Sequence, residues 1–255
     1  MALFQKSVLK KYIGDINKEL LHTAWQQFQF NFHNTTKQQN IRNAQEEQYQ
    51  EGFLRELFTD VLGYTLNPQP NFNLTTEYKN EKDSKKADGA ILNGEQVVAV
   101  IELKGTDTTD LAKVESQAFS YKNNQKGCTY IITSNFEKLR LYINDATDFE
   151  EFNLFTLSQE RFTLLYLCLQ KDNLLAHVPL HIKQASLAAE ENVTRKLYAD
   201  YSTFKKKLYH NIVALNPQYD KLVLFKKTQK LLDRFLFIFF AEVRVRLYHP
   251  SMHGC

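Results

Sequence analysis

The spacing of apolar positions changes character twice along this chain. Between residues 5 and 32, Val8, Leu9, Tyr12, Ile13, Ile16, Leu20, Leu21, Trp25 and Phe28 recur at helical intervals, which predicts one helix over that stretch. Asn34-Thr35-Thr36 breaks the pattern and offers a cap for the next helix. A second stripe, Tyr49, Phe53, Leu54, Leu57, Phe58 and Val61, predicts a helix from about Gln39 to Leu62, ended by Gly63. Glu56 lies on the edge of that stripe. Pro68 and Pro70 then force extended or turn structure, with a short strand expected over residues 71–77 and a charged loop over Lys79–Lys86.

From there the pattern becomes that of strands. Asp88–Leu92 and Val97–Leu103 flank Asn93-Gly94, a hairpin signal. Val97–Leu103 is apolar and β-branched, as a strand buried on both faces would be. Residues 110–124 read as an amphipathic helix, 128–133 as a second buried strand and Leu139–Ile143 as a last one after a turn at 136–138. A strand–helix–strand connection is normally parallel and right-handed. The expected fold class is therefore α/β, with a mixed central sheet of four or five strands flanked by helices. After Ser158 the strand signals stop. Residues 159–170, 185–214 and 219–242 read as helices, the last two separated by Asn216-Pro217. The expected division is a sheet-bearing domain with N-terminal helices at 1–157 and a helical extension or connector at 158–242. The tail at 243–255 (VRVRLYHPSMHGC) has no structural pattern and is expected to be a non-native end.

Bulk composition narrows the class only modestly. Of 255 residues, 43% are hydrophobic and 24% charged, ordinary for a globular protein. A net charge of +3 permits nucleic-acid binding without requiring it. Cys128, Cys168 and Cys255 are scattered with no C-x-x-C, so neither a zinc site nor a disulfide framework is indicated. The N-terminus lacks the apolar run of a signal peptide. The longest apolar run, Phe235–Ala241, falls far short of the roughly 20 residues that span a bilayer. A soluble, cytoplasmic protein with no membrane partner is expected.

The chemistry concentrates between Ser84 and Tyr121. Glu102 and Lys104 stand two apart at the end of a buried strand and so share a face. Buried charges are costly unless paired or bound to a metal. Asp88 on the neighbouring strand is a second carboxylate, and its position depends on register. A two-residue turn at Asn93-Gly94 pairs Asp88 with Ala99 and puts Asp88 and Glu102 on opposite faces. A three-residue loop with a bulge pairs Asp88 with Val100 and puts Asp88, Glu102 and Lys104 on one face. If these residues form a site, the bulged or longer turn is required. Two carboxylates and a backbone carbonyl, that of Leu103, suit Mg²⁺, with Mn²⁺ as a substitute. Such an ion can align a water and stabilise charge on a phosphodiester, and Lys104 can orient that water or neutralise the phosphorus centre. Glu56 is a further metal-ligand candidate, with an ordinary solvated helix residue as the equal alternative. Gln117 and Tyr121, spaced i and i+4, share a helix face and can position the water, Lys104 or a DNA strand. Lys85, Lys86 and Thr106 flank the site and suit phosphate contact.

With those residues in view, the chain resembles the PD-(D/E)xK nuclease superfamily. The matching elements are Glu56 on a preceding helix, Asp88, Glu102-Leu103-Lys104 and Gln117-Ala118-Phe119-Ser120-Tyr121, in that order and spacing. Ala87 stands where the usual proline would precede the Asp. Asp…Glu-x-Lys alone is a weak motif; the full series is much more specific. More narrowly, YQEGFLRELFTDVLGY, AVIELKGT and QAFSYKNN look like the N-terminal nuclease region of type IIG single-chain restriction–modification enzymes, and KLLDRFLFIFFAE looks like the helical connector before their methyltransferase. The resemblance implies a restriction-endonuclease-like core and Mg²⁺-dependent cleavage of double-stranded DNA, with catalytic Asp88, Glu102, Lys104, Glu56 and Gln117. It also implies methyltransferase and target-recognition domains elsewhere in a longer protein, a transient dimer for cleavage, and no S-adenosylmethionine bound by this chain, which lacks Asn-Pro-Pro-Tyr. Two alternatives stand beside it: an inactive nuclease-fold DNA-binding or interaction module, and a repair-type exonuclease.

Overall fold

In a computed structural model, residues 3–79, 86–123, 125 and 127–248 are described. Six strands form one mixed sheet in sequential order: β1 (Leu74–Lys79), β2 (Lys86–Asn93), β3 (Gln96–Leu103), β4 (Tyr130–Ser134), β5 (Lys138–Ile143) and β6 (Phe149–Asn153). Only β3 and β4 run parallel, joined through helix α5 (Ala112–Asn123). Every other neighbour is antiparallel. The sheet has one strand more than the four or five expected. β6, FEEFN, was missed because it carries two acids in five residues, and such residues are depleted in strands. Both acids are paired, Glu151 with Arg140 at 2.7 Å and Glu150 with Arg161 at 3.1 Å.

The N-terminal helical region is cut into shorter pieces than its apolar stripes suggest. The single helix expected over residues 5–32 is two, α1 (Lys6–Gly14) and α2 (Lys18–Phe32). Asn17 starts the second by accepting the Glu19 and Leu20 N–H groups at 3.0 and 3.2 Å. Asn34 caps α3 (Thr35–Asn43) through the Lys37 N–H. The helix expected from Gln39 to Leu62 then breaks at Ala44 and Gln45 and restarts as α4 (Glu46–Phe53), where the Gln48 side chain takes the Gln45 N–H at 2.9 Å. α4 runs on into a π-helical turn, Leu54–Thr59, and Gly63, at φ +80°, closes the segment.

Two apolar layers sandwich the sheet. Ile91, Val98, Ile101, Tyr130, Ile132, Leu139 and Leu141 face a core shared with Phe28, Phe32, Phe53, Phe58, Phe162 and Leu165. Ala90, Val100, Ile131 and Tyr142 face Ala118 and Tyr121 of α5. Phe162 and Leu165 belong to α6 (Gln159–Leu169), which is followed by α7 (Lys171–Leu175) and α8 (Val178–Leu215). α8 begins earlier than residue 185 because Pro179 falls in its first turn, where a missing N–H is harmless.

The chain divides into two compact units, Met1–Leu187 and Ala188–Cys255, not at the expected 157/158 boundary. The difference has a simple cause: α6 and α7 contribute Phe162, Leu165, Leu169 and Leu174 to the core of the first unit. The second unit comprises the rest of α8 and α9 (Lys221–Tyr248). Its helices leave many apolar side chains exposed, Phe237 at 73% and Leu197 at 62% among them. α9 continues through Tyr248, past the expected end at 242; the remainder of the tail lies outside the described residues. No helix among the described residues is long and apolar enough to cross a membrane.

Candidate active site

The β2–β3 hairpin turns at Gly94 and Glu95, between the paired residues Asn93 and Gln96. A bulge beside Ile91 and Leu92 then shifts the register, so that Ile91 pairs with Ala99 and Gly89 with Ile101. Continued by one residue, that register puts Asp88 and Glu102 on the same face. The bulge required for a site is therefore present, although Val100 pairs with Ala90 and not with Asp88. Directly opposed residues of an antiparallel pair project from the same face. Asp88 is fixed there by the Leu103 N–H, which donates to its Oδ2 at 2.7 Å.

Glu102 is 1% exposed. Its Oε1 accepts a hydrogen bond from Lys104 Nζ at 2.9 Å and a very short one from the Gln117 amide. Gln117 reaches it from α5 and also donates to the Tyr121 hydroxyl at 3.2 Å. Lys104 Nζ additionally donates to the Leu103 carbonyl at 2.8 Å. Five of the residues singled out in the sequence, Asp88, Glu102, Lys104, Gln117 and Tyr121, thus meet at one end of β3. Beside them Ser116, Gln117, Ser120 and Tyr121 line an open cleft of about 490 Å³.

A sixth participant escaped the sequence reading. Glu46, in the first turn of α4, accepts from Lys104 Nζ at 3.4 Å and from the Gly105 N–H at 3.3 Å. Gln50, one turn later, donates to Glu46 Oε1 at 3.1 Å and also supports Asp88. Glu46 lies on the line of the apolar stripe, three residues before Tyr49 and seven before Phe53, but precedes its first apolar residue and so was not singled out. The break at Ala44 and Gln45, signalled only by a capping glutamine three residues later, makes Glu46 the first residue of α4, in contact with Lys104 and Gly105.

The acids repel one another in a dry place. Burial, then the charge of Asp88, pushes Glu102 up to about 7 despite Lys104. Burial also raises Asp88, against the opposing effects of the Leu103 N–H and Lys104. For Lys104, burial acts downward, but the carboxylates of Glu102, Asp88 and Glu46 outweigh it and hold the ammonium above its ordinary range.

Glu102 Oε2 is buried with no hydrogen-bond partner, an orphaned charged oxygen of the kind that a metal satisfies. Among the described residues no group of three or more His, Cys, Asp and Glu side chains could hold a metal ion. Mg²⁺ does not need one, since it is typically held by one or two carboxylates, its own waters and substrate phosphate oxygens. Asp88, Glu102 and the Leu103 carbonyl fit that ion.

Three other positions fall elsewhere. Glu56 is not brought to the acids. Its Oε1 is 2.7 Å from Lys37 Nζ and its Oε2 accepts from the Tyr49 hydroxyl at 2.6 Å. The π-helical turn changes the helix phase on which its expected place depended. Lys86 is exposed and paired with Glu77 at 2.8 Å, and the Thr106 hydroxyl donates to the Arg42 carbonyl at 3.1 Å. Lys85 lies outside the described residues.

A family model described as the MmeI N-terminal domain matches residues 26–207. The chain belongs to the MmeI N-terminal domain family. This identifies it as a restriction-enzyme N-terminal region, part of a restriction–modification enzyme. The span matched to the MmeI N-terminal domain starts within α2, ends within α8 and takes in every residue that meets at the end of β3. No curated protein and no solved structure matches the chain.

Proposed function

We propose that this chain is the metal-dependent endonuclease domain of a restriction–modification enzyme, hydrolysing phosphodiester bonds of double-stranded DNA. The observation that carries the reading is the convergence of Asp88, Glu102 and Lys104 beside an open polar cleft, with Glu102 Oε2 left unpartnered. The family membership supports it, since a restriction enzyme must cut DNA somewhere along its chain. Asp88, Glu102 and the Leu103 carbonyl would hold Mg²⁺, or Mn²⁺ in its place. When bound, the ion lowers the pKa of a water and neutralises charge on the phosphate. Gln117 fixes the Glu102 carboxylate in one orientation, and Tyr121 fixes Gln117. Lys104 sets a positive charge where the phosphoryl oxygens gather negative charge during attack. The cleft beside α5, polar at Ser116 and Ser120, admits the DNA backbone. Target recognition and methylation belong to other parts of the longer protein.

The test is incubation of the purified chain with closed circular and linear plasmid DNA, with Mg²⁺ or Mn²⁺. Cutting of the closed circle, lost in Asp88→Ala and Lys104→Ala, is expected. Digestion of linear DNA alone would make the chain an exonuclease. DNA binding without cutting under either ion would make it a binding module.

A further inference from the structure

Lys104 occupies an unusual position. Its ammonium bonds the Glu102 carboxylate at 2.9 Å and the Leu103 carbonyl at 2.8 Å. The Leu103 carbonyl is one of the oxygens that a divalent ion would take, and Glu102 Oε1 belongs to the carboxylate whose free Oε2 would take it, if the chain is a metal-dependent nuclease, the reading on which this inference rests. An ammonium and a metal held on the same carboxylate and the same carbonyl stand a few ångströms apart in a partly buried site and repel strongly. Metal entry therefore requires Lys104 to move, and its charge needs a partner afterwards.

Glu46 is placed to be that partner. Its Oε1 is 3.4 Å from Lys104 Nζ, the loosest of the three contacts of the ammonium. Glu46 is itself held at both oxygens, by Gln50 Nε2 at 3.1 Å and the Gly105 N–H at 3.3 Å. It is fixed by the start of α4 and the first residue beyond Lys104, not by the acids of the site. A shift of the ammonium toward Glu46 needs only side-chain rotation.

We propose that Glu46 is a positioning residue that receives the Lys104 ammonium when a divalent cation takes Glu102 and the Leu103 carbonyl. The side chain of Lys104 then stands beside the ion with its charge compensated, directed at the phosphate and no longer blocking the seat. Glu46 acts through Lys104 and does not ligate the ion.

The experiment is a double-mutant cycle on Mn²⁺ affinity, measured by calorimetry on the full chain without DNA. Lys104→Met removes the competing ammonium and is expected to bind Mn²⁺ more tightly than the wild type. Glu46→Gln is expected to weaken Mn²⁺ binding about tenfold with Lys104 present, and no more than about twofold in the Lys104→Met background. An equal loss in both backgrounds would make Glu46 a direct ligand and overturn the proposal, as would weaker binding by Lys104→Met. If the wild type takes up no Mn²⁺, the metal-dependent reading itself fails. If it binds Mn²⁺ but shows no coupling, only the role of Glu46 fails. Thermal unfolding of each variant without metal checks that it is folded.

Discussion

Asp88 and Glu102 fall on one face of the β2–β3 hairpin, because the bulge beside Ile91 and Leu92 sets the register at which Gly89 pairs with Ile101. Without the extra residue every side chain of one strand beyond that point would change faces. The bulge thus brings two ordinary strand carboxylates together, and burial, with the repulsion from Asp88 added to it, keeps Glu102 reluctant to ionise. Lys104 relieves the strain only in part. The site is consequently a place where the fold gives up stability, as binding sites commonly do.

Substituting Glu102→Gln should reveal that cost. The amide keeps the shape of the side chain and drops the charge that burial and Asp88 disfavour. At pH 8 without metal the variant is expected to be more stable than the wild type by on the order of 1 kcal/mol, while losing metal uptake and DNA cutting. Urea unfolding and Mn²⁺ calorimetry together test it. A variant less stable than the wild type would mean that Lys104 compensates Glu102 fully.

Glu56 is expected to behave in the opposite way. Glu56→Ala removes the partner of Lys37 and leaves the half-buried Tyr49 hydroxyl without its acceptor. The expected cost is about 1–3 kcal/mol of stability, with Mn²⁺ affinity and cleavage per folded molecule unchanged. A loss of metal affinity comparable to that of Asp88→Ala would return Glu56 to the site.

The two strands of the hairpin and the residues at their ends were legible because their signals are local. Asp88, Glu102 and Lys104 emerge from a β-branched run, and Gln117 and Tyr121 from an i, i+4 spacing. The requirement for a bulge was legible from register alone. Which acid of the N-terminal helices reaches the sheet was not, because it depends on where a long apolar stripe is interrupted. Glu56 looked well placed because an unbroken α-helix sets it on the edge of that stripe, and nothing in the sequence marks the π-helical turn at Leu54–Thr59 that changes its phase. β6 was hidden for another reason: its glutamates are compensated by Arg140 and Arg161, which lie outside the strand itself.

The second unit can be probed independently of the site. Phe237 and Ile238 of α9 are 73% and 56% exposed, and patches of that sort promote association. Phe237→Ser with Ile238→Ser is expected to raise the soluble yield of the chain and reduce its self-association in light scattering, without changing Mn²⁺ affinity. Unchanged self-association would show that these side chains are covered in solution.

Stability should also depend on pH through Glu102, which ionises in the unfolded chain near its ordinary 4.5 and in the folded protein only at about 7. Between those values the folded protein binds a proton that the unfolded chain has released. Stability from this group is therefore complete below about 4.5, falls as pH rises and is gone above about 7. Other groups titrate over the same range, so the contribution is isolated by comparison with Glu102→Gln, which has no proton to lose. Without metal, the stability advantage of the variant over the wild type is expected to be small at about pH 5, to widen up to about pH 7 and to stay level beyond. Mn²⁺ affinity of the wild type should rise over the same range, by up to about tenfold per pH unit until Glu102 is ionised, and then level off. A gap between the two proteins that does not change with pH would show that Glu102 is already charged at pH 5, and that neither burial nor Asp88 governs it.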